Sequence, residues 1–164
     1  MLQVLKQQIL ATWQANHKSN LILINALTDD ALNLTRSPRG GGKIGHQLAH
    51  MYNVRYWQLE KIDKTMVSSL KTIKSEDVKT CKMLTRYHQI STDLIKQVLE
   101  TSCNNNAKVK NFKSGLIPLL GYLISHEAHH RGNIFLTLKL SNFKLPIELK
   151  YGVWEWNKMI TNLS

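Results

Sequence analysis

Two pairs of histidines spaced four apart, His46 with His50 and His126 with His130, are the residues of this chain best placed to do chemistry. Positions i and i+4 share one face of a helix, so both imidazoles of a pair can reach a single metal ion. Seven histidines scattered over 164 residues would give roughly 0.3 such pairs by chance at the spacing that aligns side chains on a helix. Finding two of them argues for a shared task. Leu116, Leu119, Leu123, Ile134 and Leu138 mark an apolar stripe through the second pair, which puts His126 and His130 near a core. Buried imidazoles need partners, and a metal ion is one. If the helices carrying the two pairs are neighbours, one or both of His46 and His50 face His126 and His130 and complete a site with three nitrogen ligands. Three protein ligands with positions left open is the pattern of catalytic metal sites, and imidazole suits Zn, Ni, Cu or Fe. His50 is preferred as the third ligand, because His46 sits nearest the glycine-rich segment Gly40, Gly41, Gly42. His129 points about 100° away from His130 on a helix and reads as a neighbour. His17 and His88, each without a paired histidine, read as hydrogen-bonded core residues.

His126-Glu127-Ala128-His129-His130 also matches H-E-x-x-H, in which the glutamate activates zinc-bound water in metalloproteases. The extended form of that motif needs Gly three and His six residues beyond the second histidine. Those positions hold Asn133 and Leu136, with Gly132 one place early, and no strand suited to a peptide substrate is predicted. The protease reading is set aside, and Glu127 is expected to be a supporting acceptor for the site or a surface residue.

The elements that must position these groups are helical almost throughout. Leu2 to about Leu27 repeats Leu2, Leu5, Ile9, Trp13, Leu21 and Ile24 at helical spacing with neither Gly nor Pro, giving helix one. One short turn and then Pro38 and three glycines mark a loop up to Gly42. Helix two is expected from Lys43 or Ile44 to about Lys61. Helix three is expected from an N-cap at Ser75, with Glu76 and Asp77 in its first turn, to about Glu100. Pro118 is tolerated only in a first turn, so helix four begins near Leu116 and runs to Leu140, where Ser141-Asn142 stops it. The stretch from Phe143, with Pro146 and Gly152, is expected to wrap over the other helices. The expected fold is all-α, a four-helix bundle formed by one domain over residues 1–164, and bundles build ligand sites from side chains on facing helices.

Composition narrows the function classes. The net charge of +11 invites a nucleic-acid reading. The basic residues are spread along the chain, however, and the densest run, Lys61 to Arg86, is interleaved with Asp63, Glu76 and Asp77. No nucleic-acid-binding motif accompanies it, so a solvated basic surface is the expectation. Cys81 and Cys103 form no CxxC and no secreted disulfide framework. No signal peptide or membrane-length apolar run is apparent, and a soluble, cytoplasmic protein is expected.

The residues also carry a resemblance. Helix one ending in Leu27-Thr-Asp-Asp-Ala-Leu32, the glycine loop, Ile44-Gly-His-Gln-Leu-Ala-His50-Met-Tyr-Asn-Val-Arg55 and His126-Glu-Ala-His-His130-Arg-Gly-Asn133 together resemble the DinB family over nearly the whole chain. The segment from Leu145 to Trp156 is similar to a closing segment of some members. The resemblance implies a DinB-like four-helix bundle in which a divalent ion, Zn, Ni or Fe, is held by His50, His126 and His130. Many relatives have His-Arg-Gly-Gln where this chain has Asn133, a shorter amide whose role is left open. The resemblance further implies a metal-dependent thiol S-transferase acting on a low-molecular-weight thiol. A metal-dependent hydrolase is the alternative within enzymes. A stress-related metal- or nucleic-acid-binding protein, suggested by the family's DNA-damage-inducible name, is the alternative outside them. It also implies a homodimer, with the aromatic tail of Tyr151, Trp154 and Trp156 either closing the core or meeting a second subunit.

Overall fold

The computed structural model describes residues 2–36 and 42–160, and within them the chain is all-α, with no named strand. The long helices are α1 (Leu2–Asn25), α2 (Ile44–Ile62), α3 (Cys81–Asn104) and α4 (Leu116–Leu140). Two short ones, α5 (Ile147–Gly152) and α6 (Trp156–Met159), follow. Among the described residues, no helix is long and apolar enough to cross a membrane.

The core explains the topology. One apolar cluster gathers Leu23 and Ile24 from the end of α1, Ile44 and Leu48 from the start of α2, Leu84 from the start of α3 and Leu138 from the end of α4. The other gathers Trp13, Leu59, Leu99 and Leu116 from the opposite ends. Helices α2 and α3 therefore run one way and α1 and α4 the other, so the segment between α2 and α3 must travel the length of the bundle. Asn53 holds that crossover by donating to Ile73 O at 2.9 Å and accepting from Ile73 N at 2.8 Å. Its lysines, Lys64, Lys71, Lys74 and Lys79, are exposed.

Local chemistry sets the helix ends. Helix α4 opens after Gly115, at φ +88°, and Pro118 falls in its first turn. It closes in a Schellman turn: Asn142 takes φ +56°, Asn142 N donates to Lys139 O and Phe143 N to Leu138 O. Helix α3 departs from expectation at its start. Ser75–Asp77 forms a separate 3-10 turn, and the N-cap is Thr80, whose hydroxyl accepts from Met83 N at 3.1 Å. The intervening backbone is extended because Val78 packs over Gly45, where even a Cβ would come within 2.9 Å of Val78. The acidic group at the start of α3 is instead Asp29, which accepts from Cys81 N at 2.7 Å.

The tail lies back along α1. Leu149, Val153 and Met159 are buried, Ser19 Oγ donates to Val153 O at 3.2 Å, and Lys18 Nζ donates to Met159 O at 2.6 Å. Trp154 and Tyr151 remain exposed, so they do not close the core. Residues 37–41 of the loop expected up to Gly42, and the last residues, 161–164, lie outside the described residues.

Candidate metal centre

Helices α2 and α4 pack against each other, and their histidines meet at that seam. His50 Nε2 lies 3.3 Å from His126 Nε2, and His130 Nε2 lies 3.2 Å from His126 Nε2. One nitrogen from each of the three rings falls within 4.8 Å of the others. All three rings are partly buried. Burial, as the largest cause, lowers the pKa of each below its ordinary value, and that of His130 to about 4. Near neutral pH the site is therefore three uncharged imidazoles with one nitrogen of each converging on the others.

Neutral imidazoles in this arrangement fit a metal ion. Ligand nitrogens about 2.0–2.1 Å from a tetrahedral metal stand about 3.3 Å apart, close to the two short separations observed. Gln47, on the same helix as His50, places Oε1 3.5 Å from His130 Nδ1. An amide oxygen facing Nδ1 is placed to accept its proton once the contact tightens to hydrogen-bond length, which leaves Nε2 free as a ligand. His126 Nδ1 is buried without a hydrogen-bond partner among the described residues. Trp57 lies edge-on to His50 at 6.0 Å between centroids, and Tyr122 stacks against His126 at 6.2 Å. These two exposed aromatics form the rim.

The other candidates go elsewhere. His46 lies outside the cluster and lines a cavity with Lys43, Glu76 and Lys79. His129 is exposed, and Asn133 Nδ2 lies 3.0 Å from its Nε2, so the shorter amide serves His129 and none of the three clustered rings. His17 and His88 are buried, the first hydrogen-bonded with Gln89 and the second with Leu48 O at 2.9 Å. Cys81 and Cys103 are free thiols, and burial pushes Cys81 up to about 12.

Glu127 is the correction. It is neither a surface residue nor a hydrogen-bond acceptor for the histidines; it is fully buried at the centre of the stripe that His126 and His130 flank. Its carboxylate accepts from Arg55 Nε at 2.6 Å, Arg55 Nη2 at 3.0 Å, Asn16 Nδ2 at 2.6 Å and Asn20 Nδ2 at 2.7 Å. Arg55, stacked 4.7 Å over Trp13, also donates to His88 O, Ser91 and Thr92. Although burial works against it, the Arg55 charge and these hydrogen bonds bring the Glu127 carboxyl down to about 2. With both oxygens engaged, Glu127 cannot serve as the water-activating base of a metalloprotease.

A polar layer from all four long helices thus separates the two apolar clusters and backs the histidine seam. Sequence reasoning missed Asn16, Asn20, Arg55 and Gln47. The available signal was polar residues on apolar stripes: Asn16 and Asn20 between Trp13 and Ile24, and Arg55 between Met51 and Leu59. No curated protein and no solved structure gives a significant match to this chain. The sequence model of the DinB family matches residues 1–141, which include α1 to α4 and all three clustered histidines, and the chain belongs to the DinB family.

Proposed function

We propose that residues 1–164 form one domain whose His50, His126 and His130 hold a divalent metal ion, and that the protein is a metal-dependent thiol S-transferase. The observation that carries this reading is the convergence of three neutral imidazole nitrogens at a partly open seam. Bound there, the ion supplies a Lewis acid that lowers the pKa of a coordinated thiol.

The chain's own residues define the rest. Gln47 orients His130, and the polar layer behind α4 fixes the rotation of the helix that presents His126 and His130. Trp57 and Tyr122 offer apolar faces to the electrophile and shield the seam from water. Among the described residues, the ring and hydrogen-bond neighbours of the cluster are Gln47, Trp57, Tyr122 and His129, none of them a carboxylate or thiol. The protein therefore brings no nucleophile of its own, and a small external thiol supplies it. A reducing compartment such as the cytoplasm suits both that thiol and the two free cysteines.

The test is incubation of untagged protein with a panel of low-molecular-weight thiols and an electrophile. Consumption of both, abolished by chelation and in the His130→Ala variant, is expected. Thiol consumption that is indifferent to metal and to His130→Ala would refute the transferase.

A further inference from the structure

On the flank of α4 opposite the histidines lies a second site, built around Arg131. Its Nη1 donates to Asn16 Oδ1 at 2.9 Å and to Asn20 Oδ1 at 2.6 Å, the same two amides that donate to Glu127. Nε and Nη2 have no hydrogen-bond partner among the described residues, and no carboxylate there pairs with Arg131. The polar layer thus carries two guanidinium groups, Arg55 and Arg131, against one carboxylate, Glu127. One positive charge is left over, and it belongs to the residue with donors to spare.

Arg131 borders a cavity of about 390 Å³, walled also by Ile124, Phe135, Val153, Trp154 and Trp156, within the range of small-molecule pockets. Gly132 opens it. A Cβ built on Gly132 meets nothing within 4 Å, although glycine in a helix interior destabilises by roughly 0.5–1 kcal/mol relative to alanine. Trp154 is 79% exposed, an aromatic face that the fold itself does not use. The adjoining cavity, which shares Gly132, Phe135 and Trp154, adds Lys139 and Lys150, so the wider mouth is also cationic.

We propose that this cavity binds a small carboxylate with an apolar or aromatic body, its carboxylate on Arg131 and its body against Phe135, Trp154 and Trp156. A guanidinium with two free donors matches a carboxylate in a fork that no amine or neutral amide reproduces. The site is separate from the histidine seam: residue 127 and the polar layer lie between them, so binding does not require metal.

The full chain is titrated with phenylacetate and with its uncharged counterpart phenylacetamide, by calorimetry and by intrinsic tryptophan fluorescence, with Zn²⁺ present and after chelation. Saturable phenylacetate binding in the millimolar range or tighter is expected, with the amide about tenfold weaker or more. Arg131→Met should lower affinity about ten- to hundredfold. Because that variant also removes the bonds to Asn16 and Asn20, Gly132→Leu provides the second arm. Gly132 lines the cavity, so leucine there adds bulk at its wall and favours the helix, and binding should weaken strongly while the protein stays folded. Equal affinity for acid and amide, or no saturable binding, or unchanged affinity in Gly132→Leu would each overturn the proposal. So would binding that appears only with Zn²⁺, which would place the anion on the histidines, or loss of a dimer in Arg131→Met, which would make the cavity a contact between copies.

Discussion

Replacing Glu127 by Gln should cost this protein about 3–5 kcal/mol of stability, the range for removing one partner of a buried ion pair. Glu127 and Arg55 are both 0% exposed, and the carboxylate accepts four hydrogen bonds from Arg55, Asn16 and Asn20. The amide of Gln would turn one acceptor into a donor facing these donors and leave the Arg55 charge uncompensated. For a chain of this size each kcal/mol moves the melting temperature by about 2–4 °C, so the loss should appear as a fall of about 6–20 °C. The assay is urea unfolding followed by circular dichroism near neutral pH, with chelator present so that metal binding does not mask the effect. Arg55→Met completes a double-mutant cycle, in which the double variant should be less destabilised than the sum of the singles. A loss below about 1 kcal/mol, as expected of an exposed charge, would refute the buried-pair reasoning. It would also revive Glu127 as a catalytic base, whose amide variant would lose activity and keep its stability.

Acid should destabilise the fold earlier than carboxylates alone would cause. Burial, the largest cause, holds His88 at about 3 and His17 also below its ordinary 6.5. The unfolded chain therefore takes up protons below pH 6.5 that the folded one refuses, and stability, complete above 6.5, falls as pH drops toward 3. Glu127, at about 2 against an ordinary 4.5, adds a further loss between those values. Each proton contributes about 1.4 kcal/mol per pH unit, and a urea midpoint unchanged from neutrality to about pH 5 would contradict this. Gln47→Leu removes the acceptor facing His130 Nδ1 and should weaken metal binding about ten- to hundredfold in a chelator competition; unaltered affinity would show that the 3.5 Å contact orients nothing. Cys81→Ser and Cys103→Ser should leave thiol transfer intact, and a thiol reagent should label Cys81 slowly, since its thiol is pushed up to about 12. Rapid labelling at neutral pH would refute that.

Much of the fold was legible because its punctuation is local. Pro118 and the Ser141-Asn142 stop bracket α4 at Leu116 and Leu140, and the glycine run delimits the start of α2 at Ile44. The start of α3 was misread because its cap depends on distant residues: Val78 is drawn over Gly45, and Asp29 arrives from another part of the chain. At the site, spacing paired His126 with His130, the nearness of His46 to the glycine run favoured His50, and the structure brings those three rings together. Spacing alone did not reveal that the centre of the α4 stripe is Glu127, with the histidines half-buried on its flank. A charged residue on an apolar stripe announces a partner without naming it. Arg55 lies 72 residues away on another helix, and Arg131 joins the same layer only through the amides of α1.

The direct test of the metal centre is elemental analysis, per chain, of untagged protein beside its single histidine variants. One divalent ion per chain is expected in the parent and in His46→Ala and His129→Ala, with the ion lost in His50→Ala, His126→Ala and His130→Ala. Metal retained in His130→Ala, or lost equally in His46→Ala, would contradict the three-histidine site.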